Sequence, residues 1–226
     1  YVTGVLDALC KDHDVSVDVV HWDKSNPDST FYQIDESKPI NFYKRSEHTQ
    51  DDILKILCDG QPDIVVVSGW EDKGYIWACR RYKRLYPKTK FVAGIDDQLR
   101  RTIRQRLGRI YYKLFYRAVF DFMWVAGSEQ FAFARTFGYS QNSIISNLYS
   151  GVFYKINQEH KHIKRFVYCG RLAHSKGIDL IILAHKRLPE ELRKIWPLVI
   201  IGSGDMLSFL ESNKDQYIQH ISFIQP

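Results

Sequence analysis

Arg171 and Lys176 are the side chains whose types and spacing best suit chemistry on a phosphate. They lie in Gly170-Arg-Leu-Ala-His-Ser-Lys-Gly177, after an apolar β-favouring run, Phe166–Cys169, and before a segment with Ile178, Ile181 and Ile182 at helical spacing. A guanidinium presents a planar fork suited to phosphate oxygens, and an ammonium presents a mobile point charge. Backbone N–H groups at a helix start add partial positive charge for an anion. A strand-loop-helix unit sets its loop at the carboxyl edge of a sheet, where α/β folds bind ligands. The pattern therefore predicts a clamp on a phosphate or diphosphate. The competing reading is two solvated loop cations.

Asp96 and Asp97 form a second candidate pair, at the carboxyl end of an expected strand, Phe91–Ile95. A carboxylate there could orient an acceptor hydroxyl or assist its deprotonation; equally, it could cap the basic helix that follows. Ser128 and Glu129 read as an N-cap pair, and His174 as solvated. The eight histidines show no metal-ligand spacing, and no G-x-S-x-G nucleophile elbow is present.

The elements needed to position these groups alternate between strands and helices. Expected helices are Tyr1–Lys11, Asp51–Asp59, Lys73–Tyr86 and Glu129–Phe137; expected strands are Val15–His21, Ile40–Tyr43, Ile64–Ser68, Phe91–Ile95, Phe122–Ala126 and Ser143–Ile145. The valine-rich run at 64–68 does not alternate, which predicts burial on both faces in a parallel sheet. Polar residues dominate 24–51 and 151–164, read as a loop and an interdomain linker. A second alternation starts at Phe166 and ends in an expected strand, Ile221–Ile224. The reading is a doubly wound α/β protein.

Leu99–Ala118 reads as a basic amphipathic helix. Seven cations, Arg100, Arg101, Arg104, Arg106, Arg109, Lys113 and Arg117, occur without an acid, and Leu99, Ile103, Leu107, Ile110 and Leu114 share one face. It suits an anionic membrane surface, unless its apolar face lies in the core. The whole chain carries +6 with a pI near 9.0, which suits anionic partners. No nucleic-acid motif accompanies the charge, so nucleic acid is not expected as a partner. Four dispersed cysteines read as small buried hydrophobes in a reducing compartment. No apolar run is long enough to span a membrane, and the expected location is cytoplasmic, with membrane association through the basic helix.

GRLAHSKG, followed about twenty residues later by LVIIGSGDMLSFLE, resembles the donor-binding half of family 4 retaining glycosyltransferases of the bacterial polysaccharide-assembly type. Leu198–Ile201 and Gly202-Ser203-Gly204 match that family's apolar strand and G-x-G as they stand. Val125–Glu129 (VAGSE) and Ile144–Gly151 (IISNLYSG) resemble the end of the acceptor-side domain, whereas Gly151-Val152-Phe153 departs from the usual Gly-Val-Asp. Many members have a His where this chain has Gly94-Ile-Asp-Asp-Gln98.

The resemblance implies a GT-B fold, with two Rossmann-like domains facing a cleft, both incomplete in this chain: 1–150 on the acceptor side without its first strand, a linker at 151–164, and the start of the donor domain at 165–226. It implies transfer of a sugar from a nucleotide-diphosphate donor to a saccharide or lipid-linked acceptor, with no cofactor and no metal. Gly170, Arg171 and Lys176 would hold the diphosphate, with Gly202, Ser203 and Gly204 near the nucleotide. The family's pair of donor-site glutamates would lie beyond Pro226. Epimerisation of a sugar nucleotide, or a non-catalytic scaffold of the same fold, are the alternatives.

Overall fold

The computed structural model describes residues 2–13, 15–23, 40–100, 102–148 and 163–222. These fall into two compact units, one built from 2–23 and 40–148 and the other from 163–222. Most of the expected loop at 24–51, the linker segment 151–162 and the departure at 151–153 lie outside the described residues.

The first unit runs α1 (Val2–Asp12), β1 (Val17–His21), β2 (Ile40–Lys44), α2 (Gln50–Gly60), β3 (Ile64–Val67), α3 (Lys73–Leu85), β4 (Lys90–Ile95), α4 (Ile103–Phe115), β5 (Phe122–Val125), α5 (Ser128–Thr136) and β6 (Ile144–Ile145). Strands β1 and β2 pair in parallel; β3-β4-β5-β6 form a second sheet, parallel throughout. Parallel neighbours need crossover connections, which α3, α4 and α5 supply between β3, β4, β5 and β6.

Local chemistry sets the helix ends. Thr49 and Asp52 close a capping box at the start of α2, and Asp72 accepts from the amides of Gly74 and Tyr75 at the start of α3. Asp72 also takes both Nε and Nη2 of Arg45, at 2.8 and 3.2 Å, joining the end of β2 to the end of β3. The core gathers on β4, whose Phe91–Ile95 are all buried, with Met123, Val125, Phe133 and Phe137.

The valine-rich strand corrects its expectation. Ile64 and Val66 are exposed, whereas Val65 and Val67 face the core. Among the described residues strand β3 is bonded only to β4, and its second face, carrying Ile64 and Val66, is left exposed.

The second unit runs β7 (Phe166–Cys169), α6 (Ile178–Lys186), α7 (Glu190–Ile195), β8 (Leu198–Ile201), α8 (Leu207–Asn213) and β9 (Ile218–Ile221), with a parallel sheet in the order β7-β8-β9. Its core is Leu172, Ile178, Ile182, Leu198, Ile200, Leu210 and Ile218. The last strand begins three residues before the expected one, because α8 ends at Asn213 and an Asp215 turn, accepting from the Tyr217 amide, restarts the extended chain. Cys79 is buried and its thiol pushed up to about 12 by desolvation, but Cys169 is exposed, against the expectation of burial.

Candidate functional site: two knitted loops of the second unit

Strands β7 and β8 run side by side in register, Phe166 with Leu198 through Cys169 with Ile201, so the loops leaving their carboxyl ends emerge together. Backbone hydrogen bonds continue past the strands. The Gly170 amide donates to Ile201 O at 3.0 Å, that of Leu172 to Ser203 O at 2.9 Å, and that of Met206 back to Leu172 O at 2.9 Å. This contact requires glycine twice. Gly202 (φ +143°) and Gly204 (φ +155°) occupy backbone conformations closed to L side chains, and a Cβ on them would collide with the carbonyls of Gly170 and Leu172 respectively. The two sequence motifs are thus one structural object.

Within it Leu172 is fully buried and anchors the loop, leaving Arg171 on one side and Lys176 on the other, both exposed. The Tyr168 hydroxyl donates to Arg171 O at 2.8 Å and holds the backbone there. Residues 174–176 make a single 3-10 turn, and Gly177, in the left-handed region at φ +69°, leads into α6 at Ile178. No ion pair holds Arg171 or Lys176 among the described residues, so both cationic heads are free to meet an anion. The first amides of α6 point toward the same end.

Two supporting residues escaped the sequence reading, Asp179 and His220. His174 is exposed to solvent as expected, and places Nδ1 3.1 Å from Asp179 Oδ2. Asp179 sits in the first turn of α6, where an acid is favoured by the helix dipole; that placement was the available signal. His220 on β9 sets Nε2 2.9 Å from Gly202 O and so holds the G-x-G turn. Nothing local in the sequence ties His220 to a loop eighteen residues earlier.

In the first unit, Asp96 and Asp97 do follow the end of β4. The capping alternative is overturned: Thr102 caps α4, its hydroxyl accepting from the Gln105 amide at 3.2 Å, several residues beyond the aspartates. Asp97 Oδ1 instead accepts from the Gln98 amide at 2.9 Å and lies 3.7 Å from Arg100. The Asp96 carbonyl accepts from Gln130 at 3.1 Å. Ser128 is likewise not an N-cap; Gly127 occupies that position.

Residues 153–225 match the model of the family described as Glycosyl transferases group 1. The matched stretch contains the whole of both knitted loops. No curated protein matches the chain. Among solved structures, the pneumococcal O-GlcNAc transferase GtfA in complex with UDP and GlcNAc superposes with a TM-score of 0.54 at 16% identity, over 78% of this chain and 37% of that one. The GtfA/B complex gives a TM-score of 0.53, also at 16% identity, over 78% of this chain and 38% of that one. This chain therefore spans less than two fifths of the structures it resembles. The likeness establishes the fold: mixed α/β with parallel sheets, of the GT-B glycosyltransferase type.

Proposed function

We propose that this chain carries the acceptor-side unit and the beginning of the donor-side unit of a retaining, metal-independent glycosyltransferase that uses a nucleotide-diphosphate sugar. The observation that carries the reading is the pair of knitted loops, with Arg171 and Lys176 exposed beside the start of α6 and without an ion pair among the described residues. The Glycosyl transferases group 1 match over 153–225 and the GT-B fold support it.

In this reading Gly170, Arg171 and Lys176 grip the diphosphate, while Gly202, Ser203 and Gly204 admit the nucleotide close to the backbone. Breaking the glycosidic bond transfers its electron pair to the diphosphate oxygen. The Arg171 fork and the Lys176 ammonium neutralise that developing charge, which is where preorganised cations lower a barrier most. They take the part a divalent ion plays elsewhere. Asp96 or Asp97 orients the acceptor hydroxyl, a saccharide or lipid-linked chain in surface polysaccharide synthesis.

The test is thermal shift against a panel of nucleoside diphosphates. A ligand at one hundred times its Kd stabilises the folded state by about 2.7 kcal/mol. No shift from any nucleoside diphosphate, in a chain that melts cooperatively, would refute the reading.

A further inference from the structure

His174 lies between Arg171 and Lys176 in the phosphate loop, and the fold gives its ring a fixed seat. Leu172 and Ala173 before it are buried. The Lys176 amide donates to Ala173 O at 2.9 Å and the Gly177 amide to His174 O at 3.0 Å, which closes the turn over residues 174–176. The ring sets Nδ1 3.1 Å from Asp179 Oδ2, with the His174 side chain 81% exposed and that of Asp179 19%. The other carboxylate oxygen, Oδ1, is buried and has no hydrogen-bond partner among the described residues. The imidazole is therefore the group that meets the charge of Asp179.

This pairing decides which ring nitrogen can serve a ligand. An ionised carboxylate only accepts, so Nδ1 carries the hydrogen that it gives to Asp179. In the neutral ring Nε2 is then an acceptor and offers nothing to a phosphate oxygen. In the protonated ring both nitrogens donate, and Nε2 presents an anion with a charged hydrogen bond. Imidazole is the side chain that makes this change around neutral pH. The charged and titratable groups of the two loops and their flanks are Tyr168 and Cys169 at the end of β7, Arg171 and Lys176 beside the ring, Asp179 on α6 and Asp205 after β8. Burial raises the Tyr168 hydroxyl, which stays neutral in this range. Among the described residues only Asp179 pairs with His174.

We infer that His174 is a third, pH-dependent contact for the diphosphate, with Asp179 as its positioning residue; this rests on the diphosphate clamp proposed above. Arg171 and Lys176 hold the anion whatever the pH, and protonated His174 tightens the hold. A group that keeps its proton better in the complex than in the free protein makes affinity rise as pH falls through its titration. The competing use of the pair is structural, a carboxylate and a ring that only trim the start of α6, where the helix dipole favours an acid. A pair that serves the helix alone alters the melting temperature. One that serves the anion alters the pH profile of binding.

Titration calorimetry of the whole chain between about pH 5.5 and 8.5 tests it, with uridine, guanosine and adenosine diphosphates and inorganic pyrophosphate as probes. A terminal phosphate itself titrates near about pH 6, so the quantity compared is the pH profile of each variant against wild type with the same probe. The affinity gained by wild type from the alkaline to the acid end should exceed that of His174→Gln by about fivefold, the step from a neutral to a charged hydrogen bond. The two proteins should bind alike at the alkaline end and melt at the same temperature. Asp179→Ala lets the ring carry its hydrogen on either nitrogen, so it should shrink the excess without weakening binding at the alkaline end. Parallel profiles for His174→Gln and wild type would overturn the inference and leave the clamp standing. A full excess in Asp179→Ala would remove the positioning role. No binding of any probe by folded wild type would remove the clamp, and this contact with it.

Discussion

Gly202 lies against the carbonyl of Gly170 with no room for a side chain between them, at a φ of +143° that only glycine adopts with ease. Through this contact the loop after β8 locks the loop that carries Arg171. Gly202→Ala should therefore misplace the phosphate loop as well as destabilise the unit. The backbone penalty alone is about 1–3 kcal/mol, and displacement of the Gly170 carbonyl adds to it. A melting temperature equal to wild type would show that the two loops are not rigidly joined.

Truncating the cations should have the opposite profile. Arg171→Ala and Lys176→Ala should each weaken nucleoside-diphosphate binding by roughly ten- to a hundredfold, since hydrogen bonds to charged groups contribute about 1.5–3 kcal/mol. Stability should hardly move, because both side chains are exposed. Arg171→Lys keeps the charge and loses the fork, so it should remain impaired. Titration calorimetry on the three variants decides; wild-type affinity in all of them would remove the clamp.

Helix α4 separates a capping role from a chemical one. Thr102→Ala should cost about 1 kcal/mol through loss of the N-cap. Asp97→Asn should leave the melting temperature near wild type, because Asp97 does not cap α4. In a transfer assay, Asp96→Asn and Asp97→Asn should lower turnover with donor affinity unchanged. Normal turnover in both would leave the acceptor hydroxyl without its proposed partner.

Arg45 and Asp72 give a pH signature. Burial pushes the Asp72 carboxyl up, but the Arg45 guanidinium and the amides of Tyr75 and Gly74 together outweigh it and hold the group below its ordinary 3.8. A depressed carboxyl contributes stability that is complete above its unfolded value and is lost as pH falls through its folded one. Asp72→Asn should thus cost about 2 kcal/mol at neutral pH. That difference should shrink as pH falls below the ordinary carboxylate range. Chemical denaturation at several pH values checks it; a gap that stays constant from neutrality into strong acid would contradict the ion pair's part.

Much of the fold could be read along the chain because its signals are local. The run at Phe166–Cys169, the glycine that ends it and the isoleucines after Gly177 each follow from neighbours within a few residues. The order of strands and helices around Arg171 and Lys176 therefore emerged as expected, and β4 did deliver Asp96 and Asp97 at its end. Boundaries failed where a cap decided them. Thr102 rather than an aspartate opens α4, and the Asp215 turn after α8 starts β9 three residues earlier than expected.

Facing and proximity were decided only in three dimensions. The periodicity of Ile103, Leu107, Ile110 and Leu114 determines that they share a side of α4. It cannot determine which side is buried, because that depends on what stands opposite. Trp70, after β3, and Phe137 and Tyr139, after α5, come from two other segments and offer an aromatic bed with a hydroxyl, which suits Tyr112 better than a leucine. The same holds for β3: its valines specify a strand, but burial of both faces needs a layer over each, and no residue within the strand supplies one. Likewise Gly202 and Gly204 announced a turn in sequence, whereas their fit against Gly170 and Leu172 exists only once β7 and β8 are paired in register.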